Sequence, residues 1–297
     1  MYFLLMFSNK FAIIGTGVVG TTLAVLLEKA GFECIGVNTR SQFSYQRFTK
    51  YLQKKHLDLD EISQQADMIF ITTHDGSIET VAAQLTEQKV IRKEKQLWVH
   101  CSGSLRSEIM CKDRSLPLHY LSLHPLQAFA SIECALAKVA GTHFGIEGDS
   151  KYSEDFGEKL VKILGGIPHR IDPAKKTLYH AGAAAASNYL VSLAFLAVKL
   201  FGQAGIDQEE ALESLLPLMQ GACHNIEKVG LPGALTGPIA RGDTAVVAKH
   251  LQEMPRELLE TYKGLGRLAL ELGKERKEVL GESYSVKELE KLQQLFM

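Results

Sequence analysis

The chain has no closely spaced cysteine pair and no excess of either charge. Its five cysteines (34, 101, 111, 134 and 223) are odd in number and scattered, with no CxxC among them. That excludes a disulfide framework and a zinc site, and it fits reduced thiols in the cytoplasm. With 33 basic against 34 acidic residues the net charge is −1, so nucleic acid or an anionic membrane has no electrostatic reason to bind. Repeats and low-complexity tracts are missing too. The opening "MYFLLMF" has neither a basic n-region nor a small-residue cleavage site, and reads as an N-terminal extension running into the first strand. Thr177 to Val198 holds no charged residue and is long enough to span a bilayer. Its first half, "LYHAGAAAASNY", is too weakly hydrophobic for that role, and a buried central helix in a cytoplasmic protein is predicted instead.

What is present is a change of rhythm. From residue 11 to about 172, short apolar runs alternate with helical patterns, the signature of a parallel sheet. Strands are predicted at "FAIIG", "CIGV", "MIFITT", "LWVHCS", "YLSLH", "THFGIEG" and "PHRI". Helices are predicted over 18–30, closed by Gly31, and near 77–88 and 151–164. After Asp172-Pro173 only helices follow, at 174–202, 207–229, 243–252, 255–273 and 285–296. Asp207 with Glu210, and Ser285 with Glu288, make capping boxes. The expected architecture is α/β: a doubly wound, mainly parallel Rossmann sheet over residues 1–172, then an all-α helical domain over 173–297 for substrate and dimerisation.

The stretch "FAIIGTGVVGTTLAVLLEKAG" gives the first domain its task. Gly15, Gly17 and Gly20 directly follow a strand and open a helix, as a dinucleotide-binding turn requires. Gly15 permits the tight turn, Gly17 lets the backbone approach a pyrophosphate, and Gly20 lets helix pack on strand. Thr16, Val18 and Val19 complete the turn at a helix N-terminus whose free N–H groups attract phosphate. An NAD site places Asp or Glu at the end of the second strand, to bind the ribose 2′-hydroxyl. Here that position reads "GVNTRSQ", where Arg40 would pair a 2′-phosphate and Asn38, Thr39 and Ser41 would donate to it. The expected cofactor is NADP(H). Thr73, His100 and Ser102, at later strand ends, extend the cofactor surface.

Ligands of such sheets lie over the carboxyl ends of the strands, and histidine ends or follows a strand in "TTHD", "HCSGS" and "SLHPLQAF". His124 is held extended by Pro125, and an imidazole titrating near neutrality is a proton donor for a carbonyl or imine receiving hydride. In "YHAGAAAASNYL", His180, Ala184 and Asn188 stand at i, i+4 and i+8 on one helix face. His180 and Asn188 are therefore candidates for orienting substrate, Asn188 either reaching the cleft or bonding neighbouring backbone. Ser102, Gly103 and Gln127 are candidate substrate contacts. In "LTGPIARGD", Thr236 and Arg241 are candidate anchors for a carboxylate, while Asp243 suits the N-cap of the next helix. A metal-dependent hydrolase using His100, His124 and His180 lacks carboxylates and paired-ligand spacing.

Taken in order, "GTGVVG", "HCSGSL", "SLHPLQAF", "YHAGAAAASNYLVSL" and "LTGPIARGD" resemble the Rossmann-like/DUF2520 family of NADP-dependent dehydrogenases over nearly the whole chain. That family is related in architecture to 6-phosphogluconate dehydrogenase, pyrroline-5-carboxylate reductase, ketopantoate reductase and prephenate dehydrogenase. The resemblance implies NADP binding, a cleft between domains, and a homodimer formed through the helical domain. It departs from the hydroxyacid-dehydrogenase branch, which has a catalytic lysine one turn before a helix asparagine. Position 184 is Ala, and the nearest lysines, Lys175 and Lys176, lie upstream. The reading is an NADP(H)-dependent oxidoreductase acting on a small carbonyl or imine compound that carries a carboxylate. Its rival is a non-catalytic NADP(H)-binding redox sensor, with domain closure as its signal.

Overall fold

The computed structural model describes residues 9–87 and 96–297. The "MYFLLMF" extension and the last residue of the helix expected near 77–88 lie outside them.

All seven expected strands form, and they join one sheet in the order β2-β1-β3-β4-β5-β6-β7. They are β1 (Lys10–Ile14), β2 (Glu33–Asn38), β3 (Met68–Ile71), β4 (Gln96–His100), β5 (Leu118–Pro125), β6 (His143–Gly148) and β7 (Ile167–Arg170). Every neighbouring pair is parallel except β5 and β6, which run antiparallel. The inner strands β3 and β4 are buried along their whole length, which is why they read as unbroken apolar runs. Apolar clusters occupy both faces, one around Phe11, Leu27 and Phe70, the other around Ile69, Ile78 and Trp98. Strand order reverses at β1, with β2 on one side and β3 on the other, and the crevice beyond the carboxyl ends is the ligand position of such sheets.

Helices α1 (Val18–Lys29), α2 (Gln42–Thr49), α3 (Leu59–Gln65), α4 (Asp75–Glu87), α5 (Ile132–Lys138) and α6 (Lys151–Ile163) link the strands. α1 stops as expected, with Gly31 at a φ of 92° just beyond it. α2, α3 and α5 were not expected. Each is only 7 or 8 residues long, and each starts on a side-chain cap, from Ser41, Asp58 and Ser131 respectively. Such helices are set by their caps more than by an apolar stripe.

The stretch expected as one helix over 174–202 is two, α7 (Lys176–Ala186) and α8 (Asn188–Gln203). Ser187 separates them, and its hydroxyl donates back to the Ala183 carbonyl at 2.8 Å. The first compact unit runs to Ser187 rather than to Asp172, because α7 is fastened to the sheet through Lys176 and Tyr179.

Residues 188–297 form the second unit: α8, α9 (Gln208–Ala234), α10 (Pro238–Arg241), α11 (Thr244–Glu253), α12 (Arg256–Val279) and α13 (Val286–Phe296). Asp207 accepts from the Glu209 and Glu210 N–H groups, but no return bond from the Glu210 side chain completes a box among the described residues. Ser285 and Glu288 do form the full capping box, and Asp243 caps α11. A small core gathers Val247, Leu270, Tyr284, Leu292 and Phe296. The expectation of a buried central helix is corrected here. The 173–203 stretch is long and apolar enough to cross a membrane by length and composition, yet none of its most apolar window is enclosed within the chain. α8 leaves Val191 72 % and Phe195 61 % exposed.

Candidate active site

The glycine turn sits at the carboxyl end of β1. Gly15 has a φ of 101°, in the left-handed region open to glycine, and a Cβ there would lie 2.8 Å from the Thr72 carbonyl. A Cβ on Gly20 would lie 2.3 Å from both the Gly15 carbonyl oxygen and the Thr72 hydroxyl. Gly17 differs, with nothing within 4 Å of where its Cβ would be, so its backbone faces open space. Gly17 also caps α1 without a side chain, which leaves the first-turn N–H groups of Val18 and Val19 without a side-chain cap. The Thr16 and Thr73 hydroxyls are buried with no hydrogen-bond partner, a cost of about 1–3 kcal/mol each unless a ligand takes them up. Open backbone, a bare helix N-terminus and orphaned hydroxyls are what a pyrophosphate needs, and they fit a dinucleotide.

At the end of β2 the four expected phosphate donors divide. Arg40 is exposed and has no partner among the described residues. Asn38 is committed instead: its amide donates to the Leu57 carbonyl at 2.8 Å. The Ser41 oxygen caps α2, accepting from Ser44 N–H at 3.3 Å, and the Thr39 carbonyl lies 3.0 Å from His56 Nε2. These three hold the loop, and Arg40 alone of the four projects freely. A residue not foreseen, Arg47 on α2, donates to the Thr16 carbonyl at 3.0 Å and sets a guanidinium beside the glycine turn. Its signal was hidden because α2 itself was not expected.

The "HCSGS" loop after β4 is tied down almost completely. Ser102 N–H donates to His100 Nδ1 at 3.1 Å, and His100 Nε2 donates to the Arg106 carbonyl at 3.1 Å. The Ser102 hydroxyl donates to Asp75 at 2.7 Å and accepts from the Ser104 and Leu105 N–H groups. The Ser102 carbonyl accepts from the Ser122 hydroxyl at 3.2 Å. The polar groups of His100 and Ser102, both expected on the ligand surface, are thus taken up by the loop itself and by Asp75. Burial first, and then the Lys176 charge, push His100 down to about 4, so it stays neutral. What the loop leaves facing its neighbours is Gly103. A Cβ there would lie 2.6 Å from His180 Cδ2 and 2.8 Å from His124 Cε1 and Nε2.

α7 lies along β5 and supplies the rest. His124 and His180 stand with ring centroids 6.0 Å apart. The Tyr179 hydroxyl is 3.1 Å from His124 Nδ1, and its ring occupies the space left by Gly145, the β6 residue paired with His124. The expectation that His124 titrates near neutrality is corrected. Burial, reinforced by the Lys176 and His180 charges, pushes it down to about 4. One turn before His180 on the same helix face, Lys176 is 1 % exposed, donates to the Ser122 hydroxyl, and stands 3.7 Å from Glu147. Both Glu147 oxygens accept from Ser107, at 2.7 Å from its N–H and 2.7 Å from its hydroxyl. Burial brings Lys176 down to about 8 against the opposing pull of Glu147. Tyr179 and Lys176 were missed as site residues. Their signal lay in the i, i+3, i+4 spacing that joins them to His180.

Gln127 is exposed, and its side chain accepts from the neighbouring Ala128 N–H. Asn188, Thr236 and Arg241 belong to the second unit, and Thr236 and Arg241 are exposed. Ser187 breaks the helix between them, so His180 falls on α7 and Asn188 opens α8.

Sheet order, glycine turn and helix N-terminus are those of a Rossmann-type dinucleotide-binding fold. The chain matches a Rossmann-like domain over residues 7–125 and the domain of unknown function DUF2520 over 142–269. No curated protein matches it. Among solved structures, a protein from Thermotoga maritima is 28 % identical, with a TM-score of 0.66 over 89 % of this chain and 98 % of that one. A proposed NADP oxidoreductase from Bacteroides fragilis is 24 % identical, with a TM-score of 0.67 over 91 % of this chain and 98 % of the other. The NADP-bound pyrroline carboxylate reductase of Plasmodium falciparum shares 13 % identity and a TM-score of 0.56, over 97 % and 98 % of the two chains. At these identities the last two speak for the fold alone.

Proposed function

We propose that this protein is an NADP(H)-dependent oxidoreductase that moves a hydride to or from a small, carboxylate-bearing carbonyl or imine compound. The observation that carries this reading is the meeting of His124, His180 and Gly103 at the carboxyl edge of a sheet that also bears an open glycine turn. The NADP and NADPH complexes among structures of similar fold support the choice of cofactor class. Arg40 supports the 2′-phosphate, and Arg47 adds positive charge beside the turn.

The nicotinamide, when bound, supplies or accepts the hydride. In the reducing direction, the substrate oxygen or nitrogen gains negative charge and must gain a proton. His124 is neutral, so it serves as a relay rather than as an imidazolium acid. With the Tyr179 hydroxyl donating to Nδ1, the imidazole proton sits on Nε2, the atom facing Gly103 and His180. An alkoxide is a far stronger base than a tyrosinate, so a proton passes from Nε2 to the substrate while Tyr179 returns one to Nδ1, and solvent restores Tyr179. His180 flanks this position and orients the substrate.

The exposed apolar residues of α8 and α9 support a homodimer, since a helix this apolar needs cover on most of its faces. NADPH oxidation measured against 2-oxo acids, cyclic imines and aldehydes tests the activity. Turnover with one of these classes is expected. Absence of NADPH binding by calorimetry would overturn the whole reading.

A further inference from the structure

A lysine enclosed to 1 % exposure is expensive, and its ion pair with Glu147 is weak grounds for keeping it. Its use lies in what its other bonds determine. Lys176 donates to the Ser122 hydroxyl, whose own proton must then point elsewhere, and it goes to the Ser102 carbonyl. The Ser102–Gly103 peptide is trans, so its N–H points opposite to its carbonyl. With the carbonyl drawn toward Ser122, the Gly103 N–H is turned away from it. Gly103 is buried, and its N–H has no partner among the described residues, although the N–H groups of Ser102, Ser104 and Leu105 around it are all paired. A buried unpaired N–H is rare and costly unless a ligand completes it.

We infer that Lys176 is a positioning residue which, through Ser122, aims the Gly103 N–H at an oxygen of the bound substrate beside His124 and His180. The ligand class is a compound with a carboxylate or carbonyl oxygen to accept that bond. The inference rests on the oxidoreductase reading and deepens it, because it names the donor that meets the substrate oxygen. The groups facing Lys176 are Glu147 on β6, His100 and Cys101 at the end of β4, His124 on β5 and Asp75 on α4.

The test uses the full-length, ¹⁵N-labelled protein saturated with NADP⁺ and titrated with oxamate, a small carboxylate with an adjacent carbonyl. In the wild type the Gly103 amide proton is expected to move downfield as oxamate binds. Ser122→Ala, a small change in a buried site, should weaken oxamate about ten-fold, the loss of one oriented hydrogen bond, and abolish that movement. NADP⁺ affinity, set at the glycine turn, should be unchanged. The double variant Lys176→Met with Glu147→Gln, which leaves no unpaired charge, should reproduce Ser122→Ala. If Ser122→Ala and the double variant bind oxamate as the wild type does, or the wild-type Gly103 amide stays still at saturating oxamate, the inference is overturned while the cofactor reading stands. A wild type that takes up no NADP⁺ overturns both.

Discussion

The two compact units bury their apolar residues to different degrees. In the first, whole strands such as Met68–Ile71 are enclosed, and apolar clusters fill both faces of the sheet. In the second, one small cluster is enclosed while Tyr189, Val191 and Phe195 of α8 and Leu216 and Leu218 of α9 remain exposed. Buried apolar surface stabilises by about 25 cal/mol per Å². A unit that leaves its most apolar helix uncovered therefore withholds much of the stabilisation its sequence encodes. The contrast suggests a division of labour, in which the first unit holds the chemistry and the second is shaped to meet another surface.

The largest test of that division is His124→Ala. It should cut turnover by roughly two to four orders of magnitude and leave NADPH affinity nearly intact. Steady-state rates and calorimetry on the same preparation check this, and equal losses in both would place His124 in packing rather than chemistry. Next in size is assembly. The wild type should be a dimer at micromolar concentration, and Val191→Asp with Phe195→Asp should weaken association by about 100-fold or more. A monomeric wild type in light scattering, or one that needs detergent to stay dispersed, would break the comparison.

Acid should act on the first unit. His100 and His124 both sit near 4 when folded, against 6.5 unfolded, so the unfolded chain takes up protons first as pH falls. Their contribution to stability is full above about 6.5 and is lost as pH drops toward 4, by about 1.4 kcal/mol per pH unit for each histidine. Trp98, the sole tryptophan, lies in β4 and reports this unit alone. Urea melts followed by its fluorescence should show the trend, and a pH-independent midpoint would contradict it. The smallest effect is cofactor choice. NADPH should bind about ten-fold tighter than NADH, or about 1.4 kcal/mol, and Arg40→Ala should remove most of that difference.

The same contrast explains what was legible in the sequence. The strands were plain because inner parallel strands are apolar throughout, and the glycine turn was plain because backbone geometry permits few alternatives at Gly15. His124, His180 and Gly103 lie close together, and each stood out in the sequence because strand ends and helix faces are local properties. Partnership between side chains was what stayed hidden. That Ser102 and His100 satisfy one another, or that Asn38 holds Leu57, depends on residues distant in the chain or on loop geometry that no periodicity reveals. Lys176 was set aside because a lysine was sought one turn before Asn188, whereas it acts from the start of α7 against β5. The break at Ser187 was invisible because serine is tolerated inside helices; its backbone, at φ −119° and ψ −71°, and its side-chain bond to Ala183 mark it.

The antiparallel pairing of β5 with β6 has a consequence for how this molecule could be divided or recombined. β6 and β7 belong to the stretch matched as DUF2520, yet they are hydrogen-bonded members of the sheet that begins in the Rossmann-like stretch. Because the sheet reverses direction there, the chain leaving β7 can send α7 back along β5, past Ser122 with Lys176 and then past His124 with Tyr179. A cut between the two matched stretches would leave β5 as a raw edge and take one wall of the site away with the other half. The two sequence modules are thus a single mechanical piece up to Ser187, and they can be inherited, swapped or grafted intact only as one.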